Sequence, residues 1–255
     1  MTPRVLILGG TTESRLLAER LQARGDMAVT LSLAGRTKAP LTQPVRTRVG
    51  GFGGVDGLVR YIIDAQIACL IDATHPFAAQ ISQNARDAAQ RTHTPMVALS
   101  RPAWRRQQGD AWTEVADMES AIDVLGIVPR RVFVTSGRQG LAALLRAPRH
   151  HYWIRTVDRI EPPLDVPHAQ YIIDVGPFTE ESERAILVSN GIEVLIAKNS
   201  GGAATYAKIA AARALRLPVV LIQRMESAVS GAAGDVDTAV HQVLAALRLG
   251  IERGV

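Results

Sequence analysis

The chain has a single cysteine, three lysines and 4 % aromatic residues in 255 positions. Each scarcity excludes something. Cys69 alone can form neither an internal disulfide nor a metal site. It lies in the apolar run ACLID, where a buried small hydrophobe is expected, and the cytoplasm is the default compartment for such a chain. The histidines show no zinc-like spacing, so no metal is expected. His150 and His151 adjoin an aromatic strand, and His93, His168 and His241 stand alone in sequence. Every apolar run is far shorter than the ~20 residues a membrane helix needs, so no membrane partner is expected. The opening MTPRVLILGG lacks the long apolar segment and small-residue cleavage site of a signal peptide. No basic run is interleaved with aromatics, which argues against nucleic acid as a partner.

What is present is an ordinary globular composition, 47 % hydrophobic and 21 % charged, on a chain long enough for one large or two small domains. The charge is uneven. Residues 1–110 carry 14 Arg and Lys against eight Asp and Glu, whereas residues 111–255 carry 15 against 16. The cations are mostly arginine, which suits bidentate recognition of carboxylate or phosphate. A small polyanionic ligand fits this balance.

Short β-branched runs recur along the chain: RVLIL, AVTLSL, ACLID, PMVALS, RVFVTS, HYWIRTV, AQYIID, IEVLIAK and PVVLIQ. Helix-like stretches lie between several of them, namely SRLLAERLQARG, GVDGLVRYIIDAQ, FAAQISQNARDAAQRT, ESAIDVLGI, TEESERAILVSNG and AATYAKIAAARALR. This alternation predicts an α/β chain of parallel sheets covered on both faces. Two stretches echo each other, LIDATHPFAAQISQNARDAAQRTHTPMVALSRP and LIAKNSGGAATYAKIAAARALRLPVVLIQRM. Each reads strand, polar turn, alanine-rich helix, proline, strand. The expected architecture is therefore two Rossmann-like, doubly wound domains facing a shared cleft. The irregular segment Pro102–Asp117 separates them, giving 1–108 as the cofactor-binding domain and 109–255 as the substrate domain.

Ligands of such folds sit beyond the C-terminal ends of the strands. That rule nominates the residues at each strand end. Gly9 and Gly10 allow close backbone approach, and Thr11, Thr12 and Glu13 open a helix whose N–H groups can hold phosphate. Glu13 suits the helix dipole but sits poorly beside a pyrophosphate; it caps the helix or faces a ribose. The second strand ends in SLAGRTK, with Arg36 and Lys38 where an acid would mark NADH. If a nicotinamide cofactor binds, NADPH is favoured. Gly50, Gly51, Phe52 and Gly53 form a loop fit to cover a flat ligand or to serve as a plain turn. Asp72, Thr74 and His75 follow the next strand, and His75 can exchange a proton near neutral pH.

The second half offers Ser136, Gly137 and Arg138 at one strand end. Gly176–Thr179 ends another. Lys198, Asn199, Ser200, Gly201 and Gly202 end a third, with Tyr206 and Lys208 in the helix behind. These are the ingredients of an anion-binding wall. Ser136 lacks the His and Asp partners of a nucleophile elbow, and KNSGG is no P-loop because its lysine precedes the glycines.

Taken together, GGTTE, DATHPFA, TSGR, GPFT and KNSGG with the following Tyr and Lys resemble the precorrin-6A reductase family of corrin-ring biosynthesis, in order and over nearly the whole chain. The resemblance implies NADPH-dependent reduction of precorrin-6A to precorrin-6B, with hydride delivered to C19 and a proton to C18 of the macrocycle. It also implies two Rossmann-like domains, a strand that can cross between them, and transient contact with neighbouring enzymes of the pathway. On this basis Gly9 to Glu13, Arg36, Lys38 and Gly50 to Gly53 would hold the cofactor. Asp72 and His75 would lie at the reacting ring as catalytic candidates, with ordered water an equal candidate for the proton. Thr74, His75, Ser136 to Arg138, Lys198 to Gly202 and Tyr206 would face the tetrapyrrole. A cobalt-precorrin-6A reductase of the anaerobic route and a non-catalytic tetrapyrrole- or nucleotide-binding protein remain as alternatives.

Overall fold

The computed structural model describes residues 2–35, 43, 45–224 and 231–252. The chain forms two compact units, Met1–Pro102 with Met225–Val255, and Ala103–Arg224.

The first unit begins β1 (Arg4–Leu8), α1 (Thr12–Gln22), β2 (Ala28–Leu33), β3 (Arg46–Val49), α2 (Gly54–Asp64), β4 (Ile67–Asp72), α3 (Ala79–Thr92) and β5 (Met96–Ala98). Its sheet runs in the order β3-β2-β1-β4-β5 with every pair parallel. The central strand β1 is buried on both faces, which explains its unbroken VLIL. Alternation along the strand divides its side chains between two cores. Val5 and Ile7 join Leu17 and Leu21 of α1, and Leu6 and Leu8 join Leu58 and Ile62 of α2 with Ala85 and Ala88 of α3.

The second unit continues with β6 (Trp112–Val115), α4 (Met118–Leu125), β7 (Arg131–Val134), a 3-10 segment (Leu141–Arg146), β8 (His151–Thr156) and β9 (Ala169–Ile173). Then come α5 (Glu180–Ser189), β10 (Val194–Lys198), a short 3-10 turn (Ala203–Thr205), α6 (Ala207–Ala214) and β11 (Val219–Ile222). Its six strands are again all parallel, in the order β6-β11-β10-β7-β8-β9. Phe133, Leu195, Ala197 and Leu221 from the middle strands pack with Ile209 and Ala212 of α6. The two echoing stretches become equivalent units, β4-α3-β5 and β10-α6-β11, as their shared pattern predicts.

The last helix, α7 (Val236–Glu252), corrects the expected division at 108/109. It belongs to the first unit, not the second. Ala239, Val243 and Leu247 recur at four-residue spacing and are buried in the same core as Leu17, Leu21 and Val97. Ala233 extends the edge at β5, donating to the Ala98 carbonyl and accepting from the Ser100 N–H, both at 2.8 Å. The returning segment thus brings to the first unit a strand-like bridge, Ala233 parallel to Leu99, followed by α7. The boundary itself falls at 102/103 because Trp104 is held by the second unit, as described below. Among the described residues no helix is long and apolar enough to cross a membrane.

Candidate functional site

In the first sheet the chain leaves β1 for β2 and β3 on one side and returns to β4 and β5 on the other. The strand order therefore reverses between β1 and β4, where an open α/β sheet leaves a crevice at its C-terminal edge. The turns after these two strands meet there. The Ala73 N–H donates to the Leu8 carbonyl at 2.9 Å, and the Thr11 hydroxyl donates to the Ala73 carbonyl at 3.0 Å.

The two glycines of the β1 turn serve different ends. A Cβ on Gly9 would stand 2.5 Å from a Leu31 methyl and 2.9 Å from the Ser14 hydroxyl, so Gly9 permits close packing of the turn on β2 and α1. Gly10 has open space around it but a φ of 116°, so it answers a backbone demand. Ser14, buried and unnoticed in the sequence, organises the turn. Its hydroxyl accepts from the N–H groups of Gly10 and Thr11 and donates to the Thr11 carbonyl, while its own N–H donates to the Thr11 hydroxyl. This capping box occupies the inner donors. Thr12 and Glu13, at the first two helical positions, have no intrahelical acceptor and are the N–H groups the turn offers outward. Arg101, just past β5, pairs with the Glu13 carboxylate. That ion pair neutralises the one carboxylate at the head of α1.

The β4 turn is held from within. Asp72 is buried, and its Oδ1 accepts from the Thr74 N–H at 3.1 Å and the Thr74 hydroxyl at 2.7 Å. The Thr74 hydroxyl also lies 3.1 Å from that of Ser82 on α3. Asp72 thus shapes the turn that carries His75. The His75 Nδ1 accepts from the Phe77 N–H at 3.3 Å. Pro76 lies in the turn before α3, which starts three residues later at Ala79 without a side-chain cap.

Arg36 and Lys38 lie outside the described residues. The neighbouring loop after β3 is built by Arg48. Its guanidinium donates to the carbonyls of Gly50 at 2.5 Å and Gly51 at 2.7 Å and stacks 3.8 Å from the Phe52 ring centre. Phe52 packs edge-on against Tyr61 of α2, 5.2 Å between centroids. Gly53 and Gly54 take φ of 80° and 84°. Gly57, one turn into α2, is the contact glycine: a Cβ there would fall 1.6 Å from the Phe52 carbonyl oxygen. The loop is therefore clamped to α2 and is not a free flap.

The second sheet reverses order between β7 and β10. Ser136 ends the β7 side, buried, with no hydrogen-bond partner for its hydroxyl among the described residues. Gly137 follows at φ 72°, and exposed Arg138 donates to the Arg159 carbonyl. On the β10 side, the Lys198 ammonium lies 3.4 Å from the Gln139 amide oxygen. Asn199 is fully engaged inward. Its Oδ1 accepts from the Trp104 N–H at 2.8 Å, and its Nδ2 donates to the Trp104 carbonyl at 3.1 Å and to Gln223 at 3.3 Å. This leaves Asn199 as the clamp that ties the interdomain segment to the second unit. Ser200 faces Thr205 at 3.2 Å across the turn, with Gly201 between them at φ 73° and Gly202 starting the 3-10 turn. Tyr206 stacks edge-on against Trp104 and receives a hydrogen bond from Arg213, which pairs with Asp110 at 2.8 Å.

Beneath these turns lies a group of buried charges, of which only Lys208 stood out in the sequence. Arg155 of β8 and Glu183 of α5 form an ion pair of 2.5 Å with both side chains almost wholly buried. The Arg155 guanidinium also stacks 3.8 Å from Phe178 of the GPFT segment. Lys208 of α6 is buried beside them. It donates to the Thr205 carbonyl at 2.9 Å and lies 5.3 Å from the Trp104 ring centre. Burial lowers its ammonium to about 7, Arg155 pushes in the same direction, and Glu183 opposes them. Elsewhere, His168, isolated in sequence, stacks on His151 at 4.5 Å, at the opposite end of the sheet from these turns.

The family model described as precorrin-6x reductase CbiJ/CobK matches residues 4–247. A precorrin-6A reductase of Sinorhizobium sp is 51 % identical, over 94 % of this chain and 92 % of its own length. A cobalt-precorrin-6A reductase of Priestia megaterium is 28 % identical, over 86 % of this chain and 90 % of its own. The solved structure of CobK precorrin-6A reductase superposes with a TM-score of 0.92 at 43 % identity, covering 96 % of this chain and 97 % of that one.

Proposed function

This chain belongs to the precorrin-6x reductase family, and we propose that it reduces precorrin-6A to precorrin-6B with NADPH as reductant: precorrin-6A, NADPH and one proton give precorrin-6B and NADP+. The observation that carries the cofactor half of this reading is the β1 turn. It lies at the switch point of the first sheet, presents the outward N–H groups of Thr12 and Glu13, and has its one acid neutralised by Arg101. The residues present fit a pyrophosphate there. Arg36 and Lys38 are assigned to the 2′-phosphate on sequence grounds.

Bound NADPH supplies the hydride, and the task left to the protein is to bind, align and exclude water. Gly50 to Gly53, held by Arg48 and Gly57, are assigned to cover the nicotinamide end. Asp72 takes a holding role, since its carboxylate is committed to Thr74. His75 is retained as the candidate donor of the proton to C18. Ser136, Gly137, Arg138, Lys198, Ser200, Gly201, Gly202 and Tyr206 are assigned to the acetate and propionate groups of the macrocycle, for which hydroxyls, backbone N–H groups and cations without acids are the right wall. Asn199 supports that wall from behind.

The metal-free ring is favoured over the cobalt-bound one because identity to the Sinorhizobium precorrin-6A reductase far exceeds that to the Priestia cobalt-precorrin-6A reductase. The test is anaerobic incubation with precorrin-6A, following NADPH absorbance and the macrocycle spectrum together, with NADH and cobalt-precorrin-6A as parallel arms. Equimolar loss of NADPH and of precorrin-6A is expected. Binding of both ligands without turnover would move the chain to a carrier role, and turnover of the cobalt-bound ring alone would move it to the other route.

A further inference from the structure

The buried charges of the second unit do not balance. Within the group Arg155, Glu183 and Lys208, Glu183 carries the one negative charge, and its Oε1 is taken by Arg155 at 2.5 Å; the buried Asp110 carboxylate is matched separately by Arg213. The Glu183 Oε2 has no hydrogen-bond partner among the described residues. Lys208, 5 % exposed, has one hydrogen bond, to the Thr205 carbonyl, and an aromatic face at Trp104. A protonated Lys208 therefore leaves one uncompensated positive charge in the interior. Charges on the adjoining elements do not answer it. Arg213 of α6 is paired with Asp110 and Tyr206, Lys198 of β10 is itself a cation, and Glu180, Glu181 and Arg184 of α5 are exposed. The elements directly above are the 3-10 turn that contains Thr205 and the GPFT segment, joined where the Phe178 N–H meets the Ala204 carbonyl at 3.4 Å. The segments 135–138 and 198–206 contain no acid, and the buried Ser136 hydroxyl at the same switch point has no partner among the described residues.

We propose that Lys208 is a positioning residue whose missing counter-ion is a carboxylate of the bound tetrapyrrole, so that substrate binding at the β7 and β10 turns draws a proton onto Lys208. The proposal rests on the reading above that the macrocycle's carboxylates meet these turns. An anion brought near a buried ammonium favours its charged form. The charged form in turn tightens the Thr205 carbonyl bond and the Trp104 contact, setting the turn that the substrate meets. In the free protein Lys208 titrates at about 7, so at pH 8 only about a tenth carries the proton. A rise of one unit or more on binding corresponds to an uptake of about 0.4 to 0.9 proton per macrocycle.

The experiment is anaerobic calorimetric titration of the full chain with precorrin-6A at pH 8 in two buffers of different ionisation enthalpy, on wild type and Lys208→Met. A folded Met variant is expected, since an apolar side chain of similar length replaces an unbalanced buried charge. As a second readout, 15N-lysine labelling gives three side-chain signals, because the chain has three lysines, and Lys208→Met identifies the one that matters. The expected result is proton uptake in wild type, its loss in Lys208→Met, and a Lys208 signal whose titration moves up on binding. Binding without uptake, equal uptake in the variant, or a Lys208 signal titrating like an ordinary lysine overturns the proposal and leaves the functional reading intact. No binding of precorrin-6A at all overturns both.

Discussion

Gly57→Ala separates two physical effects of opposite sign. In the interior of an exposed helix, replacing glycine by alanine stabilises by roughly 1 kcal/mol through helix propensity. At Gly57 the added Cβ would lie 1.6 Å from the Phe52 carbonyl oxygen, and real Cβ contacts do not fall below 3.0 Å. The loop must therefore lift from α2 by about 1.4 Å, the difference between these distances. The helix cannot yield instead, because Leu58 and Ile62 on its buried face are fixed in the core. Lifting Phe52 disturbs its contacts with Arg48 and Tyr61. Overpacking of this kind costs about 1–3 kcal/mol, so the variant should be less stable than wild type. Misplacement of a positioning loop by about 1 Å can cost roughly 100-fold in rate, so kcat/KM for NADPH should fall by about 10- to 100-fold. Thermal denaturation and steady-state kinetics read the two effects. Gly51→Ala is the control, since Gly51 has open space and no left-handed φ. It should leave Tm unchanged. A Gly57→Ala protein as stable as wild type or more so would refute the clamped-loop reasoning.

Three further outcomes test individual assignments. Arg101→Ala leaves Glu13 unpaired beside the proposed pyrophosphate site and should weaken NADPH binding about tenfold; adding Glu13→Gln should restore most of it, and a double variant as weak as the single one would dismiss the neutralising role. Arg36→Ala should weaken NADPH much more than NADH in equilibrium binding, because only the former carries a 2′-phosphate; equal losses would remove Arg36 from that site. Asn199→Ala strips the part-buried Trp104 N–H and carbonyl of their partners and should destabilise the second unit by about 1–3 kcal/mol in denaturant unfolding; a loss confined to substrate KM would return Asn199 to direct ligand contact.

The central strands were legible because parallel strands buried on both faces must be continuous apolar runs, and VLIL and VLIAK are such runs. The strands missing from the sequence reading are β3 and β6, both edge strands. RTRV is charged and mostly exposed, as edge protection requires, and WTEV has too little apolar pattern to stand out. The strand-end rule then found turns without any structural help, because it depends only on where apolar runs stop. It did not find what holds those turns. Ser14, Arg48, Gly57 and Arg101 act through the geometry of neighbouring elements, and one residue's place in a string does not report its partner 88 positions away, as Glu13 and Arg101 show. The same holds for Asp72 and Asn199: sequence placed both at strand ends, but only their hydrogen bonds reveal that they face inward. The domain division failed at α7 because its apolar stripe at 239, 243 and 247 fits either unit until the core it enters is known.

The most direct test of the central claim is a single turnover of precorrin-6A with stereospecifically 4-deuterated NADPH, each face in turn, followed by mass and NMR analysis of the macrocycle. The account predicts that one of the two labelled cofactors delivers a full deuterium to C19 while the hydrogen gained at C18 comes from solvent. Product formed without deuterium from either cofactor would contradict hydride transfer from NADPH and with it the proposed function.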